Sequence, residues 1–337
     1  MVSRFLCLLL TASLVSMTAC TNDASAPSDS TSTTTADTSS ADTGTVLIAD
    51  KTDDLLYFVD RATRSVEDSI AVGRGPHEVA VHPFEAIAYV ANYEGEGSIS
   101  IIDLETRTER DRVMLEPGSR PHGIQVDAAG TAVYATAEGL QAVLELDPQT
   151  GAVKRTLSTG QDGTHMLALG SAHIYTANIG SGTATVLNRE AGNVDTHIAT
   201  GEGAEGIALT PDGREVWVSN RADDTVSIID SETLAVVDSF RVEGFPLRIY
   251  MTPNGDTALL ACAQANEVAL VDVATREVMA RLPTGDTPVG IQITPDGTEA
   301  FVGNMNGGSV TVIDLEAQTV VDTLPMGTGP DGMAFLE

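Results

Sequence analysis

Residues 204–245 read "AEGIALTPDGREVWVSNRADDTVSIIDSETLAVVDSFRVEGF", and this one stretch holds the repeating unit of the chain. Four pieces, "GIALT", "EVWVS", "TVSIID" and "AVVDSFRV", have the β-branched or alternating composition of strands. Between them "PDG", "NRADD" and "SETL" supply turn chemistry. The turn entering each first strand recurs at Pro76, Pro121, Gly163, Ala204, Pro246, Pro288 and Pro330. The intervals are 45, 42, 41, 42, 42 and 42 residues. No stretch carries a sustained helical period.

Four-stranded units repeated at this length predict a β-propeller with one unit per blade. Residues 44–337 number 294, seven times 42. The ends are complementary: "PDGMAFLE" at 330–337 is a first strand alone, and "TVLIADKTDDLLYFVDRATRSVEDSIAV" at 45–72 supplies the other three. Joined, they make a seventh blade that clasps the ring shut and removes the exposed edges of an open array. A linear solenoid does not explain two partial repeats that complete each other. The expected fold is therefore all-β, a seven-bladed propeller over residues 45–337.

The repeats "IAYVAN", "VWVSN", "TVSIID" and "PDG" resemble those of the YVTN-type, YncE-like β-propellers of surface and periplasmic proteins, over all of residues 44–337. The pattern departs where alanine replaces asparagine, at Ala137 and Ala263, and where "PDG" becomes "AAG" or "GSA". These motifs imply a fold and carry no catalytic group. Asn92, Asn178, Asn220 and Asn304 are expected to bond turn backbone. No strand ends in Trp-Asp, which argues against WD40 repeats.

The chain has 48 Asp+Glu against 18 Lys+Arg, a formal charge of −30. Lys51 and Lys154 are its only lysines. Such a surface repels phosphate backbones and anionic headgroups, so nucleic acid is not an expected partner. A salt-rich habitat, where screening removes self-repulsion, or a genome favouring arginine codons each accounts for the balance.

"MVSRFLCLLLTASLVSMTAC" at 1–20 has a positive start, an apolar stretch too short to span a membrane, and small residues before Cys20. It resembles a bacterial lipoprotein signal with Cys20 as the lipidation site, although Met17 stands where leucine is usual. The alternative is an ordinary secretory signal. Residues 21–44 are Ser, Thr, Ala and Asp with almost no core-forming side chain, the composition of a disordered tether. These features predict a monomeric propeller in the cell envelope, on the periplasmic or outer-membrane and cell-surface side, touching membrane only through its anchor. Cys7 leaves with the signal and Cys20 takes the lipid, so Cys262 remains alone and no intramolecular disulfide forms.

In a four-stranded meander the linker into the first strand and the turn between the second and third strands share a face. The first strand of such a blade runs along the central channel, so the residue after the linker stands at the channel mouth. Around the ring that position reads His77, His122, Thr164, Glu205, Leu247, Val289 and Asp331. The next reads Glu78, Gly123, His165, Gly206, Arg248, Gly290 and Gly332. Three of six histidines, three acids and an arginine thus gather where the repeat itself prefers glycine or an apolar residue. His82 and His173 map to the opposite face and His197 to an outer strand.

His77, His122, His165 and Glu205 have the donor set for a divalent transition metal, the candidate cofactor here. Turns on the same face add Tyr93, Glu138 and Arg221, and Arg74, Arg120, Arg221 and Arg248 could offer bidentate hydrogen bonds to a carboxylate or phosphate. The competing account has the histidines bonded to linker backbone and the arginines paired with neighbouring acids. There is no Cys-x-x-Cys-His, no phosphate loop before a helix, and Trp217 is the only tryptophan, so covalent haem, nucleotide and quinoprotein readings lack their motifs. "GSGT" at 180–183 lies in a turn and is not a nucleophile elbow. Two functions are expected: a module binding a small ligand or protein partner at this mouth, or a metal-assisted lyase or hydrolase. The second would use Glu78, Glu205 or Asp331 as its acid or base.

Overall fold

The computed structural model describes residues 43–337; the expected signal with Cys20 and nearly all of the expected tether lie outside them. Seven four-stranded antiparallel sheets form the described part. In the seventh, Pro330–Leu336 pairs with Thr45–Asp50, from Thr45 opposite Leu336 to Asp50 opposite Pro330 with one register shift between Ile48 and Asp50. The chain ends therefore close the ring as the partial repeats require. The first strands of successive blades adjoin around the full circle, with Pro288–Ile293 against Pro330–Leu336 and the latter against Pro76–Val81. One short 3₁₀ turn, Glu138–Leu140, interrupts the β pattern.

Burial follows position in the blade. Middle strands such as Ile87–Asn92 are buried throughout, while outer strands such as Ser65–Ala71 are almost wholly exposed. The core lies between blades: Tyr89, Ile99 and Ile101 of the first pack on Ile124, Ala135 and Leu144 of the second. Trp217 is fully buried against Ile249 and Ala258 of the next blade and donates its indole N–H to Glu215 Oε2 at 2.9 Å.

The asparagines do something other than expected. Asn220 Nδ2 donates to Thr225 Oγ1 (3.1 Å) and Ser227 Oγ (3.0 Å), and Asn92 and Asn304 repeat the pattern on serine and threonine hydroxyls. They tie the second strand to the third through side chains; Asn178 alone adds a backbone carbonyl, that of Thr183. Pairing also corrects the alignment of one blade. Cys262 lies opposite Pro246 as Asn220 lies opposite Ala204, so Cys262 holds the asparagine position, and the departure assigned to Ala263 belongs there.

Candidate functional site at the channel mouth

Every inner strand carries a register shift between its first and fourth residues. Pro76 pairs with Asn92 and Glu78 with Ala91, leaving His77 in the bulge; His165 and Leu247 are skipped in the same way. A bulge re-aims the side chain of the extra residue, and here it turns one side chain per blade into the mouth. Thr164, not Gly163, pairs with Asn178. The third blade therefore shifts by one: His165 belongs to the ring of His77, His122, Glu205, Leu247, Val289 and Asp331, and Thr164 stands before it. Met166 then falls in the second ring with Glu78 and Arg248. Close approach explains the glycines there, since a Cβ on Gly290 would meet Asp331 O at 1.9 Å and one on Gly332 would meet His77 O at 2.2 Å.

The mouth encloses about 390 Å³, lined among others by Lys51, His77, His122, His165, Phe245 and Asp331. His122 is the middle of a stack, its ring centroid 3.6 Å from His77 and 3.5 Å from His165. His165 Nδ1 contacts Glu138 Oε1, and its Nε2 lies 3.4 Å from Glu205 Oε1 without hydrogen-bond geometry. His77 Nδ1 stands 3.1 Å from Asp331 Oδ2, again too oblique for a hydrogen bond. His122 is fully buried and neither of its nitrogens has a partner.

Below the stack, Arg248 crosses the channel. Its Nη1 donates to Glu205 Oε1 at 2.9 Å and its Nε to Glu78 Oε1 at 3.3 Å, and Arg221 also reaches Glu205. Beyond this ion pair the channel opens into a second cavity of about 460 Å³, lined by Glu78, Gln125, Tyr250 and Gln292.

Burial sets the charge states. It holds His77 and His122 well below the usual imidazole pKa, helped by Lys51 and Arg248 at the first and by His165 and His77 at the second. Burial pushes Glu78 up to about 7 and Asp331 up to about 6 against the pull of Arg248. Burial also pushes Glu205 up, but His165, Arg248 and Arg221 together outweigh it and hold this carboxyl at about 2. The mouth thus combines two imidazoles held neutral, His77 and His122, with the Glu205 carboxylate and with two carboxyls, Glu78 and Asp331, pushed up toward neutrality.

The other sequence candidates lie at the rim. Tyr93 donates to Glu138 Oε2 (2.8 Å), Arg120 stacks on the Tyr93 ring at 4.5 Å, and Arg74 is exposed 3.8 Å from Glu94. Lys51, absent from the sequence-derived set, and Glu138, which the sequence places only on a turn of the same face, complete the site. Lys51, 5.3 Å above the Tyr93 ring, holds in the closing blade the turn position that Tyr93 and Arg221 hold in theirs. Glu138 faces His165 from the turn of the preceding blade. The control histidines are structural in their contacts. His82 accepts from the Phe84 and Glu85 amides at Nδ1 and sits 3.0 Å from Gly130 O at Nε2. His173 meets Asp195, and His197 meets Thr185.

A closed ring of seven four-stranded blades, with polar side chains from many blades gathered at one channel mouth, defines a β-propeller. The model of the YncE-like β-propeller family matches residues 112–298, more than half of the chain, and the chain belongs to that family. No curated protein matches it in sequence. Among solved structures it is similar to hydrazine synthase of Kuenenia stuttgartiensis, with 22% identity and TM-score 0.71 over 80% of this chain and 92% of that one. A functionally unknown protein from Desulfotomaculum acetoxidans DSM 771 gives 13% identity and TM-score 0.76 over 87% and 99%. A protein from Lactobacillus plantarum gives 17% and 0.74 over 88% and 100%. At these identities the likeness is one of fold.

Proposed function

We propose that the protein is a cell-envelope-tethered binding module whose ligand occupies the histidine-bearing mouth of the channel. One observation carries this reading. His77 Nδ1, both nitrogens of His122, His165 Nε2 and both carboxylate oxygens of Asp331 are buried without a hydrogen-bond partner, around one cavity. Orphaned buried polar groups cost ~1–3 kcal/mol each, a large draft on a net stability of ~5–15 kcal/mol. A bound species that bonds to them offsets that cost. The mixed lining of cations, carboxylates, Phe245 and Tyr93 suits a small polar ligand.

Binding is favoured over catalysis by how the acids are used. Of the three acids that a catalytic reading would use, Glu205 is held by Arg248 and Arg221 and Glu78 by Arg248, which leaves Asp331 alone as a candidate acid or base. The anchor at Cys20 and the 21–44 tether would hold the module clear of its membrane.

Native mass spectrometry of the full-length protein released from its own envelope tests the proposal. A bound mass that is lost on denaturation, and lost in a His77→Ala/Asp331→Ala variant that folds, is expected. Protein that carries no bound species in either form overturns the reading.

A further inference from the structure

His77, Glu78 and His122 each place one ligand atom within 4.8 Å of the other two, and all three side chains are buried. Among the described residues no other group of His, Cys, Asp or Glu converges in this way. The two histidines come from adjacent inner strands, Pro76–Val81 and Pro121–Val126. The bulge that skips His77 brings its ring onto that of His122.

His122 makes the case specific. A neutral imidazole carries one donor and one acceptor, and this ring, fully buried, satisfies neither. Stacking on His77 and His165 contacts its faces and leaves the edge nitrogens unanswered. Glu78 gives Oε1 to Arg248, so Oε2 lies outside that pair. We infer that His77, Glu78 and His122 form a resident site for a divalent transition ion of the Zn²⁺ class, with an open coordination position for the ligand; this rests on the mouth being a ligand site.

Two imidazoles and a carboxylate suit Zn²⁺, Cu²⁺ or Co²⁺ better than Mg²⁺ or Ca²⁺, which prefer all-oxygen shells. Bonds of about 2.0–2.2 Å put the donors of a tetrahedral site roughly 3.4 Å apart, so small rotamer shifts draw the three atoms together. Three protein ligands leave a fourth position, the arrangement of sites that engage a further molecule. A supporting group is in place: Arg248, bonded to Glu78 Oε1, can orient that ligand as outer hydrogen-bond partners commonly do. His165 engages Glu138 through Nδ1, and its nitrogens are not among the converging ligand atoms, so in the structure it backs the stack.

The test is titration of the full-length protein with Zn²⁺, Co²⁺ and Cu²⁺, by calorimetry and by metal analysis after dialysis. One equivalent should bind. Loss of an outer partner costs 10–100-fold in affinity, so His122→Ala and Glu78→Gln should each lose more than ~100-fold, while His82→Ala binds as the wild type does. Where a variant does not fold, X-ray absorption of the Zn²⁺-loaded wild type decides: two imidazoles in the shell support the site, and a shell without them overturns it. Uptake that survives His77→Ala/His122→Ala, or no stoichiometric uptake of the three ions, also overturns it. An organic molecule still held at the mouth of metal-free protein would sink this inference alone and leave the binding reading standing.

Discussion

Replacing Arg248 by methionine tests whether the channel is plugged by charge. The side chain is 3% exposed and ties Glu78 on the first blade to Glu205 on the fourth. Methionine keeps much of the volume and removes the cation, so the change isolates electrostatics from packing. Removing one partner of a buried ion pair costs ~3–5 kcal/mol because the other charge stays behind. Two features place this case near ~3 kcal/mol: Glu205 retains Arg221, and Glu78 already sits near its protonation point. Equilibrium urea denaturation followed by circular dichroism reads the loss as a lower midpoint at unchanged slope. Adding Glu78→Gln to Arg248→Met should then recover stability, since Glu78 is the carboxyl left without a cation. A loss under ~1 kcal/mol, or no recovery in the double variant, would refute the buried-pair account.

Arg61 ties the closing blade to its neighbour through Asp296 (2.8 Å), Glu299 (2.9 Å) and Thr298 Oγ1 (2.7 Å), so Arg61→Ala should lose ~2 kcal/mol. Burial raises the Asp296 pKa, but Arg61, Thr294 and Thr298 outweigh it and hold it below 3.8. A depressed carboxyl stabilises the fold above its unfolded pKa, so wild type and Arg61→Ala should differ most above pH 4 and converge in acid; a constant gap in thermal melts from pH 7 to 3 contradicts this. Asn304→Ala strands Ser309 and Thr311 and should cost ~1–3 kcal/mol in denaturant titration. An unchanged midpoint there would remove the asparagine tie from the account. Burial pushes the Cys262 thiol up to about 11, so an aromatic disulfide reagent should label it only after unfolding; fast labelling of native protein speaks against a buried packing role.

The fold was legible because its signal is repeated: seven copies of four strands and turns average out local ambiguity, and the two partial repeats state the closure. The site was legible only as far as one residue per blade. His77, His122, Glu205 and Asp331 follow from counting past the linker turn, yet that count slips at Gly163. Register is set by pairing with Asn178, and the third linker is one residue longer than the turn motif suggests. The same kind of slip put Ala263 where Cys262 stands. Lys51 escaped for a different reason, and so did the pairing of Glu138 with His165. The contacts of Lys51 to Tyr93 and of Glu138 to His165 join separate blades, and no local pattern encodes a meeting across blades. Arg248 was visible as a departure from glycine, but its role as a channel-crossing plug depends on Glu78, 170 residues away.

The most direct measurement is a crystal structure of the protein isolated from its own envelope, at a resolution that separates water from other species. The account predicts a non-water species in the mouth, within bonding distance of His122 and His77 and in reach of Asp331. A mouth holding only ordered waters, with every nitrogen of the histidine stack hydrogen-bonded to them, would contradict it.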